Sequence, residues 1–364
     1  MLAEIDAFLP PVMLGVVRNI PTPAPYIGAQ LLPKKDTFDL AFSYIKGAQD
    51  RPVMASVIAY GTPAPIGGRP GLGQQVVGEL PPIKRKEEIT EKEILRFVTP
   101  RTGTTDQQEA IRGVYARTQR LVLGVEARLE WLRIKALSED LLVYNEGGVV
   151  LGFNFGFNDA YQIDMTTQTN GASTDISSDV STVWSDVDNA DWVADLTWLC
   201  DKIQEEKGYR PARLVVRPKT KSYMIRNAKA RVMLRGTNGP SALLTDQELS
   251  ALTEHYALPP VVTYNALLRQ ENADGSYTDA CPLADGKAIL LPGPEVELGN
   301  TLYGPTAEAV SAFMGTALAS QIPGIYARTY AETGDPEGEW VKAAAVAFPS
   351  IPGADFVAQL KLHA

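Results

Sequence analysis

The sequence predicts a mixed α+β fold. In it a single very long helix is flanked by strand- and loop-rich segments, and an α/β lobe is inserted late in the chain. Three observations carry that expectation. Residues 104–141 hold an apolar stripe at helical spacing (Ile111, Val114, Leu121, Val125, Leu129, Leu132), with charges such as Glu126, Glu130 and Arg133 on the intervening positions. The segments before the helix are dense in proline and glycine, which forbid regular helix and favour extended chain. Residues 188–293 alternate helical and strand-like stretches, each with its own cap or breaker.

The long helix comes first because the other parts are arranged around it. Thr105 with Gln108 three residues on forms a capping box, and Pro100 keeps the helix from starting earlier. At about 1.5 Å per residue it runs roughly 50 Å. Gly113 and Gly124 lower its stability locally and mark places where it can bend.

In chain order, residues 1–42 read as an arm. Its apolar start is broken by Pro10 and Pro11, and Pro21, Pro23, Pro25 and Pro33 keep the rest extended. Residues 43–100 read as a long two-stranded excursion with a tip containing Gly67, Gly68, Gly71 and Gly73, and Pro81 and Pro82 fit an edge strand. A hairpin of that length is marginal in water. The cluster Lys84, Arg85, Lys86, Glu87 and Glu88 suits a complementary protein surface on which it could lie.

After the helix, 141–150 reads as a hairpin turning at Gly147 and Gly148, followed by a strand at 151–157. The Thr-, Ser- and Asp-rich 164–187 reads as a surface loop. In the lobe, Asp188 or Asn189 caps a helix stopped by Gly208, and 214–216 is a buried strand. Pro218 opens the next helix, and Thr245 with Glu248 is a capping box for a helix ending near His255. Strands are expected at 261–268 and 288–291, with an Asp-Gly turn in the exposed loop 271–277. Strands at 324–331 and 339–348 flank Thr333-Gly334-Asp335-Pro336, and 355–362 closes the chain.

The chain has 364 residues, 45% apolar and 21% charged, with a net charge of −9. That balance argues against a basic nucleic-acid-binding surface. Two cysteines (Cys200, Cys281) and two histidines (His255, His363) are too few for a disulfide framework or a zinc site. No cofactor or metal site is expected, and no membrane span. Gly286-Lys287 is followed by Ala288, not Ser or Thr, so there is no P-loop. Gly71-Leu72-Gly73 lacks the third glycine of a dinucleotide fingerprint, and no Gly-x-Ser-x-Gly elbow exists. The acidic pairs Asp186/Asp188 and Glu205/Glu206 sit in solvated runs. No catalytic set is expected.

The order of parts, with the tract from Thr333-Gly334-Asp335-Pro336 through Phe348-Pro349 to Asp355-Phe356-Val357-Ala358-Gln359-Leu360, resembles the ending of the lambda-type major capsid proteins of tailed phages, which have the HK97-type fold. The resemblance implies an N-terminal arm (1–42), an extended β-hairpin or E-loop (43–100) and a peripheral P-domain (101–187 and 294–364) built on a spine helix (104–141). The inserted axial A-domain would be 188–293.

It also implies a virion subunit that assembles in the host cytoplasm as hexamers and pentamers of an icosahedral shell, expanding on maturation around double-stranded DNA bound without sequence specificity. Scaffold, portal and trimeric cementing (decoration) proteins would be its partners, and no membrane. Lys84, Arg85, Lys86, Glu87, Glu88, Arg112, Arg117, Arg120 and Asp335 would lie at subunit interfaces. Gly67, Gly68, Gly71, Gly73, Gly113 and Gly124 would serve as loop tip or hinge. Some relatives of the fold weld subunits through a Lys–Asn isopeptide; Lys84 and Lys86 lie in that region, but a cementing protein is the expected device. Two alternatives remain: an encapsulin-like compartment shell with the same fold, and an α/β enzyme using carboxylates.

Overall fold

The computed structural model describes residues 6–45, 75–90, 105–146, 149–237, 242–272, 274–332 and 338–363. The chain begins with helices α1 (Pro10–Arg18) and α2 (Gly28–Leu31), strands β1 (Lys34–Asp36), β2 (Ala41–Ile45), β3 (Gln75–Glu79) and β4 (Pro82–Ile89), and the long helix α3 (Thr105–Ser138). Next come β5 (Leu141–Glu146), β6 (Val149–Asn154), β7 (Gln162–Asp164), β8 (Thr169–Asn170) and α4 (Trp192–Lys207). After α4 the order is β9 (Arg213–Val216), α5 (Pro218–Arg226), α6 (Ala228–Arg235), α7 (Asp246–His255), β10 (Val261–Thr263), β11 (Leu268–Glu271), β12 (Tyr277–Ala280) and β13 (Lys287–Leu291). The last elements are β14 (Asn300–Gly304), α8 (Ala307–Phe313), β15 (Tyr326–Glu332), β16 (Gly338–Ser350) and β17 (Ala358–Lys361).

Two compact units result. The first gathers Met1–Phe42, Val77–Arg133 and Asn300–Ser350; the second gathers Ser43–Val76, Ile134–Gly299 and Ile351–Ala364. Residues 134–187 and 188–293 fall within the same unit. In the first unit a sheet runs β1-β14-β16-β15, and β4 pairs β16 antiparallel from Pro82 opposite Val346 to Ile89 opposite Glu339. Because β15 pairs overlapping residues of β16, it lies on the other side of that strand from β4. In the second unit a six-stranded sheet runs β10-β9-β13-β17-β7-β8. Its core joins Trp184, Trp192, Leu196, Leu199, Cys200, Leu214, Met224, Leu290 and Leu360.

Several expectations need correction. The first apolar segment is a helix: Pro10 and Pro11 occupy its first turn, where a missing N–H costs nothing, so they start α1 instead of breaking it. Its buried Leu14 joins Phe313, Ile322 and Tyr326 in a small core. The long helix spans 105–138, since Leu141 already opens β5. Hairpin and strand after it are one hairpin, β5 with β6. The cap of α4 is Asp191, whose side chain accepts the Ala194 N–H; Gly208 ends the helix at φ +79° as expected.

The 164–187 segment is no free loop, because Met165, Ile176, Val180 and Trp184 are buried in the core. The strand expected at 261–268 stops at Thr263. Pro218 at the start of α5, the reciprocal Thr245/Glu248 cap of α7, and β15 and β16 stand as the sequence predicts. The turn residues Gly147 and Gly148, the tip Gly67, Gly68, Gly71 and Gly73, the strand composition at 52–60, and the Thr333-Gly334-Asp335-Pro336 turn lie outside the described residues.

Candidate functional site

In the first unit the working parts meet on α3. Val114, Leu121, Val122, Val125, Leu129 and Leu132 are buried as the stripe predicts. So are Glu130 and Arg133, which sequence periodicity puts on the polar face. Arg133 donates from Nε to Thr301 Oγ1 at 2.9 Å and from Nη2 to Tyr303 Oη at 3.0 Å. Its Nη1 stands 3.6 Å from Glu126 Oε2 and 4.0 Å from Glu130 Oε2.

Glu130 in turn accepts the Gly28 N–H at 3.0 Å, and Thr301 Oγ1 donates to the Leu32 carbonyl at 2.8 Å. A Cβ on Gly28 would lie 2.5 Å from Glu130 Oε2, so only glycine lets α2 approach this closely. Burial pushes the Glu126 carboxyl up despite Arg133, and pushes the Tyr303 phenol up to about 12. The network thus ties residues 28–32, α3 and β14 together by directional contacts. Further along the helix, Tyr115 donates to the Ala7 carbonyl at 2.6 Å and stacks edge-on with Phe8.

The charged strand β4 lies across the sheet with its charges answered from within the chain. Ala343, Ala344 and Ala345 on β16 are buried and leave room for the long side chains paired opposite them. Lys84 reaches Glu308 Oε1 at 3.1 Å, Lys342 reaches the same oxygen at 2.5 Å, and Lys86 sits 4.0 Å over the Trp340 ring. Burial opposes ionisation of Glu308, but the Lys342 ammonium, the backbone amide and Lys84 outweigh it and hold the carboxyl at about 2.

Glu87 meets Arg117 at 3.6 Å and Arg120 at 4.0 Å, and Arg117 donates to the Glu88 carbonyl at 3.1 Å. The aliphatic part of Arg85 lies 3.6 Å from where a Cβ on Gly124 would stand, so this glycine seats a strand side chain on a helix that runs unbroken through it and through Gly113. Of the expected interface residues, Lys84, Lys86, Glu87, Glu88, Arg117 and Arg120 are thus brought together inside one subunit. Arg112 is exposed, and Asp335 lies outside the described residues.

In the second unit a single buried carboxylate organises the polar segment before α4. Asp195 accepts the Ser181 N–H and Oγ–H at 2.6 and 2.7 Å and the Trp184 Nε1–H at 2.9 Å; burial still pushes its carboxyl up. The expected Asp-Gly turn is present: β11 and β12 pair antiparallel, Gly275 takes φ +78°, and Arg269 forks onto Asp279 at 2.8 and 2.9 Å. His255 ends α7 and stacks on Tyr256. His363 is buried, 3.2 Å from Thr220 Oγ1 and edge-on to Tyr223. Burial pushes the Cys200 thiol up to about 12, which makes it a core hydrophobe and no nucleophile.

Among the described residues no group of three or more His, Cys, Asp or Glu could hold a metal ion. The chain also carries a charge division that no motif marks. Residues 208–245 carry nine Lys and Arg and no acid, whereas 159–206 carry eleven acids and one lysine. Net charge hides it; a running count of charge along the chain reveals it.

What these parts share is attachment of one segment to another, and known proteins with the same fold are capsid and phage-related chains. A protein assigned as the capsid protein of a prophage of E. coli CFT073 has 16% identity over 80% of each chain and a TM-score of 0.52. A phage-related protein from Bordetella bronchiseptica RB50 has 12% identity over 96% of each chain and a TM-score of 0.52. The satellite phage P4 procapsid, whose structure includes the size determination protein, has 9% identity over 99% of this chain and 92% of that one, with a TM-score of 0.50. At such identities the likeness establishes the HK97-type fold. No curated protein sequence matches. Membership follows from sequence: the profile of phage major capsid protein E matches residues 11–362. The chain belongs to that family and is a shell-forming major capsid protein of a phage virion.

Proposed function

We propose that this subunit assembles in the host cytoplasm as hexamers and pentamers, closing an icosahedral head that expands on maturation and encloses double-stranded DNA. The observation that carries the reading is the family match over residues 11–362, nearly the whole chain. In this reading the arm (1–42) and the hairpin (43–100) contact neighbouring subunits. The lobe 188–293 points to the capsomer axis with the β11–β12 hairpin foremost, and 101–187 with 294–364 forms the periphery where capsomers meet. Scaffold and portal proteins guide closure, and a trimeric cementing protein secures the shell.

The subunit performs no catalysis. Its buried carboxylates are engaged in structural contacts: Glu130 with Gly28, Glu308 with Lys84 and Lys342, and Asp195 with Ser181 and Trp184. A net charge of −9 suits an enclosure for DNA, since phosphates gripped by the wall would impede filling and release. No described helix is long and apolar enough to cross a membrane.

Electron microscopy of the chain expressed alone and with a scaffold tests this. Closed shells or hexameric rings are expected; particles that stay single subunits under both conditions overturn it. The compartment-shell alternative is separated by cargo: DNA inside particles isolated from infected cells favours the phage head, and a packaged enzyme the compartment.

A further inference from the structure

We infer that Glu126, Glu130 and Arg133 form a proton-linked latch, which fastens the arm to α3 when Glu126 carries a proton and loosens it when Glu126 is ionised. The arm is held to its own subunit at two places. Near its start, Phe8 and the Ala7 carbonyl meet Tyr115. Near its end, the Gly28 N–H is held by Glu130 and the Leu32 carbonyl accepts from Thr301. There β1 also pairs with β14, from Lys34 opposite Thr301 to Asp36 opposite Tyr303. The second place carries the latch.

Geometry gives the three groups unequal parts. Glu130, 0% exposed, commits one oxygen to Gly28. Arg133 commits Nε and Nη2 to Thr301 and Tyr303. Its Nη1 faces Glu126 at 3.6 Å and Glu130 at 4.0 Å, beyond hydrogen-bond length from either. Glu126 Oε2 is buried with no hydrogen-bond partner among the described residues, on a side chain that is 16% exposed. Of the two acids, Glu126 is the one open to solvent, so a proton enters there.

The ionisable groups facing this spot come from four elements. They are Glu126, Glu130 and Arg133 on α3, Lys34 and Asp36 on β1, Tyr303 on β14, and Tyr26 just before α2. Lys34 pairs with Asp36 at 3.0 Å, and burial pushes both phenols up, so they stay neutral. One guanidinium is left to answer two carboxylates. With Glu126 ionised, a net negative charge remains where water hardly reaches, which costs stability. With Glu126 protonated the charges balance, and its hydroxyl no longer repels Glu130. Burial accordingly pushes the Glu126 carboxyl up, against the pull of Arg133 and Lys34.

A carboxyl raised in the folded state stabilises that state most when protonated. Its contribution is complete below the ordinary 4.5 and is lost as the pH rises through the raised value. The latch therefore tightens in acid and loosens toward alkaline pH. It stands on the fold of the first unit and not on the shell-forming reading, in which release would free the arm for a neighbouring subunit.

Glu126→Gln keeps the size of the side chain and removes its charge, and so imitates the protonated state. The full chain and this variant are compared in the same assembly state, checked by sedimentation. Thermal melts run from pH 4.5 to 8, and trypsin cleavage after Lys34 and Lys35, which requires β1 to leave β14, is followed at pH 8. Over this range the Glu308 contribution is constant, and Asp195 titrates alike in both chains. The parent is expected to melt progressively lower as the pH rises, and the variant to change less. At pH 8 the variant should be cut at least about fivefold more slowly. A variant that melts lower or is cut faster than the parent at pH 8 makes Glu126 a plain ion-pair partner of Arg133 and overturns the inference. Identical pH profiles, or a variant that fails to fold, overturn it too. Flatter melts with unchanged cleavage place a proton in the core without moving the arm, and likewise overturn the latch.

Discussion

The two units solve the same problem, holding distant segments together, with different chemistry. In the first, besides the apolar stripe of α3 and a small apolar core, segments far apart in sequence are tied by buried ions and hydrogen bonds, through Arg133 and Glu130 on α3 and through Glu308 between α8, β4 and β16. In the second, a continuous apolar core of Trp, Leu, Ile and Val side chains fills the space between sheet and helices, with Asp195 the buried acid that organises the loop. Apolar packing is tolerant of small shifts, whereas a fork of hydrogen bonds accepts one arrangement. The first unit is therefore built for a fixed register between segments, and the second for bulk stability.

Substitutions can break this contrast in order of expected effect. Arg133→Leu leaves Glu126 and Glu130 buried without their cation and should lower stability by about 3–5 kcal/mol in denaturant unfolding. Lowering the pH should restore part of that loss. A carboxyl whose folded pKa is raised favours the folded state most when protonated, and the benefit disappears as pH rises through that pKa. Leu196→Ala, a cavity in the second core, should cost about 3 kcal/mol with no such recovery at low pH. If the two variants respond alike to pH, the contrast fails.

Glu308 sharpens it in the opposite sense. Its carboxyl is held at about 2 against an ordinary 4.5, so its contribution is complete above 4.5 and disappears as the pH falls toward 2. Glu308→Gln should flatten the stability profile in that window, read from thermal melts in a pH series. The smallest effect belongs to a cap: Thr245→Ala removes the acceptor for the Glu248 N–H and should cost about 1 kcal/mol.

How much of this was legible in the sequence follows the same division. The apolar stripe of α3, the Thr245/Glu248 box, Pro218, Gly208 and the Asp-Gly turn are local signals, each decided within a few residues, and the structure contains all of them. The ionic clamp was not legible. Glu126, Glu130 and Arg133 occupy helical positions that periodicity assigns to solvent, and only the arrival of Gly28 and Thr301 from far along the chain buries them. Composition misled at 164–187 for a related reason, since a Ser-, Thr- and Asp-rich segment can still be anchored by one carboxylate and four apolar side chains. Pro10 and Pro11 were read for what they forbid inside a helix, when they stand at its first turn.

The bond from Thr301 to the Leu32 carbonyl spans 269 positions of sequence. A ribosome adding about 5–20 residues per second emits the first partner roughly 15–50 s before the second. During that interval Leu14, destined to pack against Phe313 and Tyr326, has no partner yet made. The first unit is thus completed only after residues 300–350 have been made, and a nascent chain cut short of them cannot present it to other subunits.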